Sequence, residues 1–207
     1  MMRTKFNGGC CGTSPVFVAG VKRCSFGRVQ LEICRPFGKR YKPFPTSFWL
    51  VCPYLVRLAG MIESNGGIKM LEEYITGHGL VHEWRRYNVL HQALRVRLGG
   101  MRLNGFVRRF RPKVYRDVMR GGVGGIRVGD SVNVKCLHLQ TASLLGLGLS
   151  KHPAAEWLKS AGLWGECNGG ICQRVNPQSA NPNPLSCVHH TVSAGKQNSS
   201  ASLNTTG

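Results

Sequence analysis

A chain of 207 residues is long enough for one core-bearing domain with tails. Its 28 Lys and Arg stand against 9 Asp and Glu, a formal charge of +19, and a field of that sign attracts nucleic acid, anionic lipid or phosphorylated ligands. No apolar run approaches the roughly 18 residues of a membrane-spanning helix, and Pro15 to Val21 is too short and interrupted for a signal peptide, so a cytoplasmic location is expected.

Residues 1 to 22 are rich in Gly and small side chains and read as a flexible leader. Residues 23 to 173 read as one domain. Val29 to Ile33 alternates apolar and polar positions, as a short strand does. Ser47 to Val51 is a bulky, β-prone run suited to a buried strand. Pro53 suits the first position of a helix running to about Ser64, where Asn65-Gly66-Gly67 ends it. Ile68 to Thr76 reads as a second helix, broken by Gly77-His78-Gly79.

The clearest helix spans Val81 to about Leu98. Trp84, Tyr87, His91, Leu94 and Leu98 recur every three or four residues along one face, and Gly99-Gly100 terminates it. Ten basic residues and no acid lie between Arg85 and Arg116. Such a block is either an interaction surface or a solvated face followed by an exposed loop. Gly121 to Gly125 reads as a hinge; it lacks the Gly-Lys-Ser/Thr ending of a phosphate-binding loop. Val132 to about Gly146 is the next helix, with Cys136 and His138 in its first half, and Pro153 to Ala161 is the last. Residues 174 to 207 are dominated by Asn, Ser, Pro, Gly and Thr, which cannot bury enough apolar surface to offset ordering entropy, so a disordered tail is expected. The fold class is α-rich α+β: a single compact domain of several short helices with a small sheet near its N-terminal end, flanked by disordered tails.

Two stretches combine residues suited to site chemistry: Phe44-Pro45-Thr46-Ser47-Phe48-Trp49-Leu50-Val51-Cys52-Pro53 and Lys135-Cys136-Leu137-His138. Thiolate and imidazole bind soft and borderline metals. Nine cysteines is an odd number without small-scaffold spacing, which favours free thiols or metal ligands over a disulfide framework. Cys136 and His138 are two residues apart. On a regular helix they face different ways, so both reach one ion only if the backbone there is non-helical. Cysteine nucleophilic catalysis is a further reading. It needs a base such as His138 or His91, and Lys135 would activate a nearby thiol. No carboxylate motif orients either histidine.

These two stretches, with Cys24-Ser25-Phe26-Gly27 and Gly124-Gly125-Ile126 in order around them, resemble the uncharacterised bacterial family called domain of unknown function 501, over about residues 22 to 172. Glu63 fits the family's Leu-Glu pair in part, since Ile62 stands where leucine is usual, and His91 matches a histidine the family carries. Gln140 and Ser143 stand where members often carry further histidines. The resemblance implies positions rather than a reaction. The cysteines matching the pattern are Cys24, Cys52, Cys136 and Cys167. Four thiolates would hold zinc or an iron–sulfur cluster, with His138 and Cys172 as reserve ligands.

The leading expectation is therefore a metal or iron–sulfur protein using that set. The alternative is a basic module binding RNA or another polyanion through Arg85, Arg86, Arg95, Arg97, Arg108, Arg109 and Arg111, with Trp84 or Phe110 for stacking.

Overall fold

The computed structural model describes residues 16–129 and 131–167. A three-stranded antiparallel sheet in the order β1-β2-β3 opens the chain, formed by Phe17–Arg23, Val29–Cys34 and Phe48–Leu50. The first strand lies largely within the stretch expected to be a leader. Its pairing with β2, Val21 opposite Leu31 and Arg23 opposite Val29, holds Phe17–Arg23 as a strand; the rest of the expected leader, residues 1–15, lies outside the described residues.

Six α-helices follow among the described residues: α1 Pro53–Ser64, α2 Gly67–Gly77, α3 Val81–Phe110, α4 Pro112–Arg120, α5 Leu137–Leu147 and α6 Ala155–Ser160. None of them is long and apolar enough to cross a membrane. The architecture is α-rich α+β with the sheet near the N-terminal end.

Helix α5 is the centre. Eight of its eleven residues are buried, the polar Gln140, Thr141 and Ser143 among them, so protein surrounds it on most sides. One side of α5 packs with α1, α2, α3 and α6 around Ala59, Leu71, Trp84, Leu144 and Leu158. The other packs on the sheet through Leu31, Phe48, Leu50, Ala142 and Leu145. Gly146 makes that approach close, because a Cβ there would stand 2.6 Å from the Phe48 ring.

Helix α3 runs past the expected stop. Gly100 adopts φ 66°, ψ 164°, a kink that only glycine takes easily. The chain then resumes helix to Phe110, because Asn104 folds back over Gly99 and donates to the Val96 carbonyl at 2.7 Å. The α3–α4 turn encloses a third apolar cluster of Phe37, Val107, Val118 and Met119.

The Gly121–Gly125 segment is no hinge. Gly121, Gly122, Val123 and Gly124 are buried, and the segment is tied down at several points. Arg95 donates to the carbonyls of Val118 at 2.7 Å, Gly121 at 2.6 Å and Gly122 at 2.5 Å. The Asn88 side chain accepts the Val123 N–H at 3.0 Å, and Gly121 bridges Arg127.

Gly146→Ala is expected to destabilise the fold by about 1–3 kcal/mol through overpacking against Phe48. Urea unfolding checks this: an unchanged midpoint would show that α5 and β3 separate without cost.

Candidate functional site

The start of α5 faces the end of α1. Cys136 is the residue before the helix, with extended backbone at φ −164° and ψ 156°. The first amides of a helix have no partner within it. Here the Leu137 N–H donates to Glu63 Oε1, joined by the His138 N–H at 3.3 Å. A carboxylate suits that end of the helix dipole. Glu63 is supplied by the last turn of α1, 74 positions away from Leu137 in sequence.

The same oxygen meets the His138 ring. Nδ1 lies 3.0 Å from Glu63 Oε1, and Nε2 lies 3.1 Å from the Val56 carbonyl oxygen. A carbonyl only accepts, so Nε2 carries a hydrogen. A ring nitrogen of His138, a Glu63 carboxylate oxygen and the Cys136 sulfur lie within 4.8 Å of one another, each residue half-buried. Nitrogen, oxygen and sulfur so arranged repel unless a cation stands among them. Without a metal, that cation is a proton. Hydrogen bonds to Cys136 and then Glu63 raise the His138 pKa to about 10, against the opposing effect of burial. Burial pushes the Glu63 carboxyl up, but the hydrogen bond and charge of His138 and the backbone amides outweigh it and hold the pKa below its ordinary value.

The expected four-cysteine centre is not assembled. Cys52 precedes the first residue of α1 and Glu63 lies in its last turn. Eleven residues at 1.5 Å each separate them by about 16 Å. Cys24, Cys52 and Cys167 gather at the first end, and Cys136 joins Glu63 and His138 at the other. Cys24 and Cys167 pack together against Tyr54. The Cys52 thiol feels both of them, and burial pushes its pKa up against the pull of the Leu55 and Tyr54 amides. The Cys24, Cys52 and Cys136 thiols form no disulfide. Among the described residues, these three do not form a donor set as close as that at Glu63, Cys136 and His138. Cys172 lies outside the described residues.

Of the cations assigned to phosphate contact, Arg95 is withdrawn. It is 1% exposed, its guanidinium is committed to backbone carbonyls, and burial lowers its pKa to about 10. Trp84 is buried as well, so it offers no stacking face. Arg85, Arg86, Arg97, Arg108, Arg109 and Arg111 are exposed.

His91 is also in the interior, edge-on to Phe48 and Tyr87. His152 lies against Tyr87 and bonds Gln140 Oε1, which Tyr87 also reaches with its hydroxyl. Gln140 and Ser143 therefore sit in this buried polar layer rather than beside Glu63.

The residue that sequence reasoning missed is Glu63. Its signal was present as part of the Leu-Glu pair, but nothing local connects it to Cys136. The Cys136–His138 spacing posed a condition, a non-helical backbone, and the extended conformation of Cys136 meets it.

Comparison with known proteins places this chain in a family. The family model described as "Protein of unknown function (DUF501)" matches residues 20–160. The chain belongs to that family. No curated protein and no solved structure matches it.

The two buried histidines predict acid sensitivity. Burial lowers both pKa values to about 3, with Arg95 adding to the effect at His91 and His91 at His152. The unfolded chain takes up these protons near pH 6.5 while the native state refuses them. Their contribution to stability is therefore complete above pH 6.5 and shrinks as pH falls towards 3, by about 1.4 kcal/mol per unit for each. In the same window the raised His138 pKa leaves that residue's contribution fully present. Thermal melts between pH 7 and 5 should show a steady fall below 6.5; a flat profile would mean that neither histidine is held neutral.

Proposed function

We propose that this protein binds a single divalent metal ion of the zinc class through Glu63, Cys136 and His138. The carrying observation is the meeting of three electron-rich donors at the α1–α5 junction, with the far ring nitrogen of His138 bonded to a backbone carbonyl. Metal-bound histidines characteristically donate their second N–H in this way, which fixes the tautomer and turns the lone pair to the ion. The Leu137 and His138 amides likewise hold the Glu63 carboxylate in one orientation.

Mixed sulfur, nitrogen and oxygen donors suit zinc. Three protein ligands in a half-exposed setting leave one coordination position for solvent or substrate, the composition of catalytic rather than structural zinc centres. When bound, such an ion acts as a Lewis acid and acidifies its water. A single ion fits this donor set better than an iron–sulfur cluster, which is held mainly by thiolates.

The cysteine-nucleophile reading is less well supported. A relay places the nucleophile and the orienting group on opposite nitrogens of the histidine. Here Val56 meets Nε2 and the Glu63 carboxylate faces Nδ1, so Cys136, which also hydrogen-bonds the ring, shares a nitrogen that already has a partner rather than holding one to itself.

The test is a cobalt titration of protein stripped of metal. Wild type should develop a thiolate-to-cobalt absorption band that zinc abolishes. Cys136→Ser should lose the band, and His138→Ala and Glu63→Gln should each weaken binding by at least about tenfold. Cys52→Ser should leave it unchanged. Absence of the band in wild type, or its persistence in Cys136→Ser, sinks the proposal.

A further inference from the structure

A column of three aromatic rings, one pair stacked and the other tilted, stands on the surface of the most basic part of the chain. Tyr41 stacks on Phe106 with ring centroids 4.7 Å apart, and Phe106 stands 4.5 Å from Phe110. Phe106 and Phe110 are one turn apart on α3 and are 42% and 62% exposed. Exposed phenylalanines cost solvation free energy and so call for an explanation. Tyr41 is presented by a tight turn in which Arg40 and Tyr41 both have left-handed backbones, φ 55° and 56°. Non-glycine residues rarely adopt that conformation, and strain of this kind collects at ligand-binding positions. Lys39, Arg40 and Lys42 are exposed around the turn, and the Arg109 guanidinium lies 5.7 Å from the Phe110 ring.

The next helix carries a cationic cleft. Its volume is about 600 Å³, and Lys113, Arg116, Arg120 and Arg127 line it against a single carboxylate, Asp117. Lys113, Arg116 and Arg120 follow at i, i+3 and i+7, which puts them on one face of α4. Arg127 comes from across the cleft, carried by the strand bridge to Gly121. The wall between them is rigid, because Arg95 grips Val118, Gly121 and Gly122 from inside. The buried arginine that cannot touch phosphate thus supports those that can.

We propose that the α3–α4 hairpin binds single-stranded nucleic acid, with phosphates in the cleft of Lys113, Arg116, Arg120 and Arg127 and bases stacked on the Tyr41–Phe106–Phe110 column. Single strands carry both spaced phosphates and free base faces, and proteins that hold them combine a basic groove with aromatic platforms. A duplex hides its base faces. A small phosphorylated ligand would use the cleft but has no need of the column. The inference does not depend on the metal site.

The test is fluorescence anisotropy of the full-length chain with a labelled 12-nucleotide oligouridine, across a salt series. Wild type should bind, with log affinity falling by roughly 0.7 per phosphate contact for each decade of salt. Phe110→Ser should weaken binding by about tenfold while leaving that salt slope intact. Arg116→Ala with Arg120→Ala should reduce the slope. Lys69→Ala with Lys159→Ala, two exposed cations elsewhere, should change neither, which separates this site from the general positive charge. Circular dichroism confirms that each variant is folded. Absence of binding at low salt overturns the proposal. So does duplex binding of equal affinity that is indifferent to Phe110, or displacement of the oligonucleotide by ATP at matching concentration.

Discussion

The first amides of α5 open towards the protein rather than towards water, and the Glu63 carboxylate is their acceptor. The fold depends on that contact. Helix α5 is shared by the sheet-side and helix-side cores, so whatever fixes its starting point fixes both. A carboxylate is suited to the task, since charged acceptors bind orphan helix amides more strongly than neutral ones. The same oxygen also orients the His138 ring. The site is therefore not an addition to the fold. It occupies the joint between the two helices that organise it.

A second buried charge plays a comparable structural part. Arg95 reaches out of the long helix α3 and satisfies three carbonyls at the end of α4 and in the glycine segment after it. A buried guanidinium is costly unless its donors are matched, and carbonyl oxygens match Nη1 and Nη2 here without adding a compensating acid, while Nε is left without a partner. Its positive charge remains in the interior and adds to the lowering of the pKa of His91. The glycines accept this crowding because side chains would not: a Cβ on Gly122 would fall 2.0 Å from Asn88. What composition alone suggested to be a loose hinge is one of the most constrained segments.

The elements are largely legible in the sequence. Period-two alternation marked β2, Pro53 marked the start of α1, and glycine clusters marked the ends of α1 and α2. The misses have specific causes. Gly99-Gly100 reads as a stop, yet Asn104 repairs the break and the helix continues. Helix α4 was hidden because Pro112 and a high charge density look like loop, while the apolar residues it buries, Val118 and Met119, are few. Helix α5 starts at Leu137 rather than at Val132, because Cys136 is extended and residues 132–136 are not helical, although Val132 and Val134 are apolar.

By itself the sequence determined which side chains are available: cysteines in apolar settings, a histidine two residues beyond one of them, and a strong excess of arginine. It also determined the α-rich class, because periodicity and turn residues are local properties. Tertiary structure alone decided how those side chains are grouped. Helix α1 holds Cys52 and Glu63 at opposite ends, and that separation divides the expected four-cysteine set. Glu63 comes to Cys136 and His138 because the buried start of α5 requires an acceptor. Arg95 leaves the basic surface for the interior because the carbonyls of the glycine segment require donors. Both choices answer the demand that buried polar groups find partners, a demand that arises only when distant segments pack.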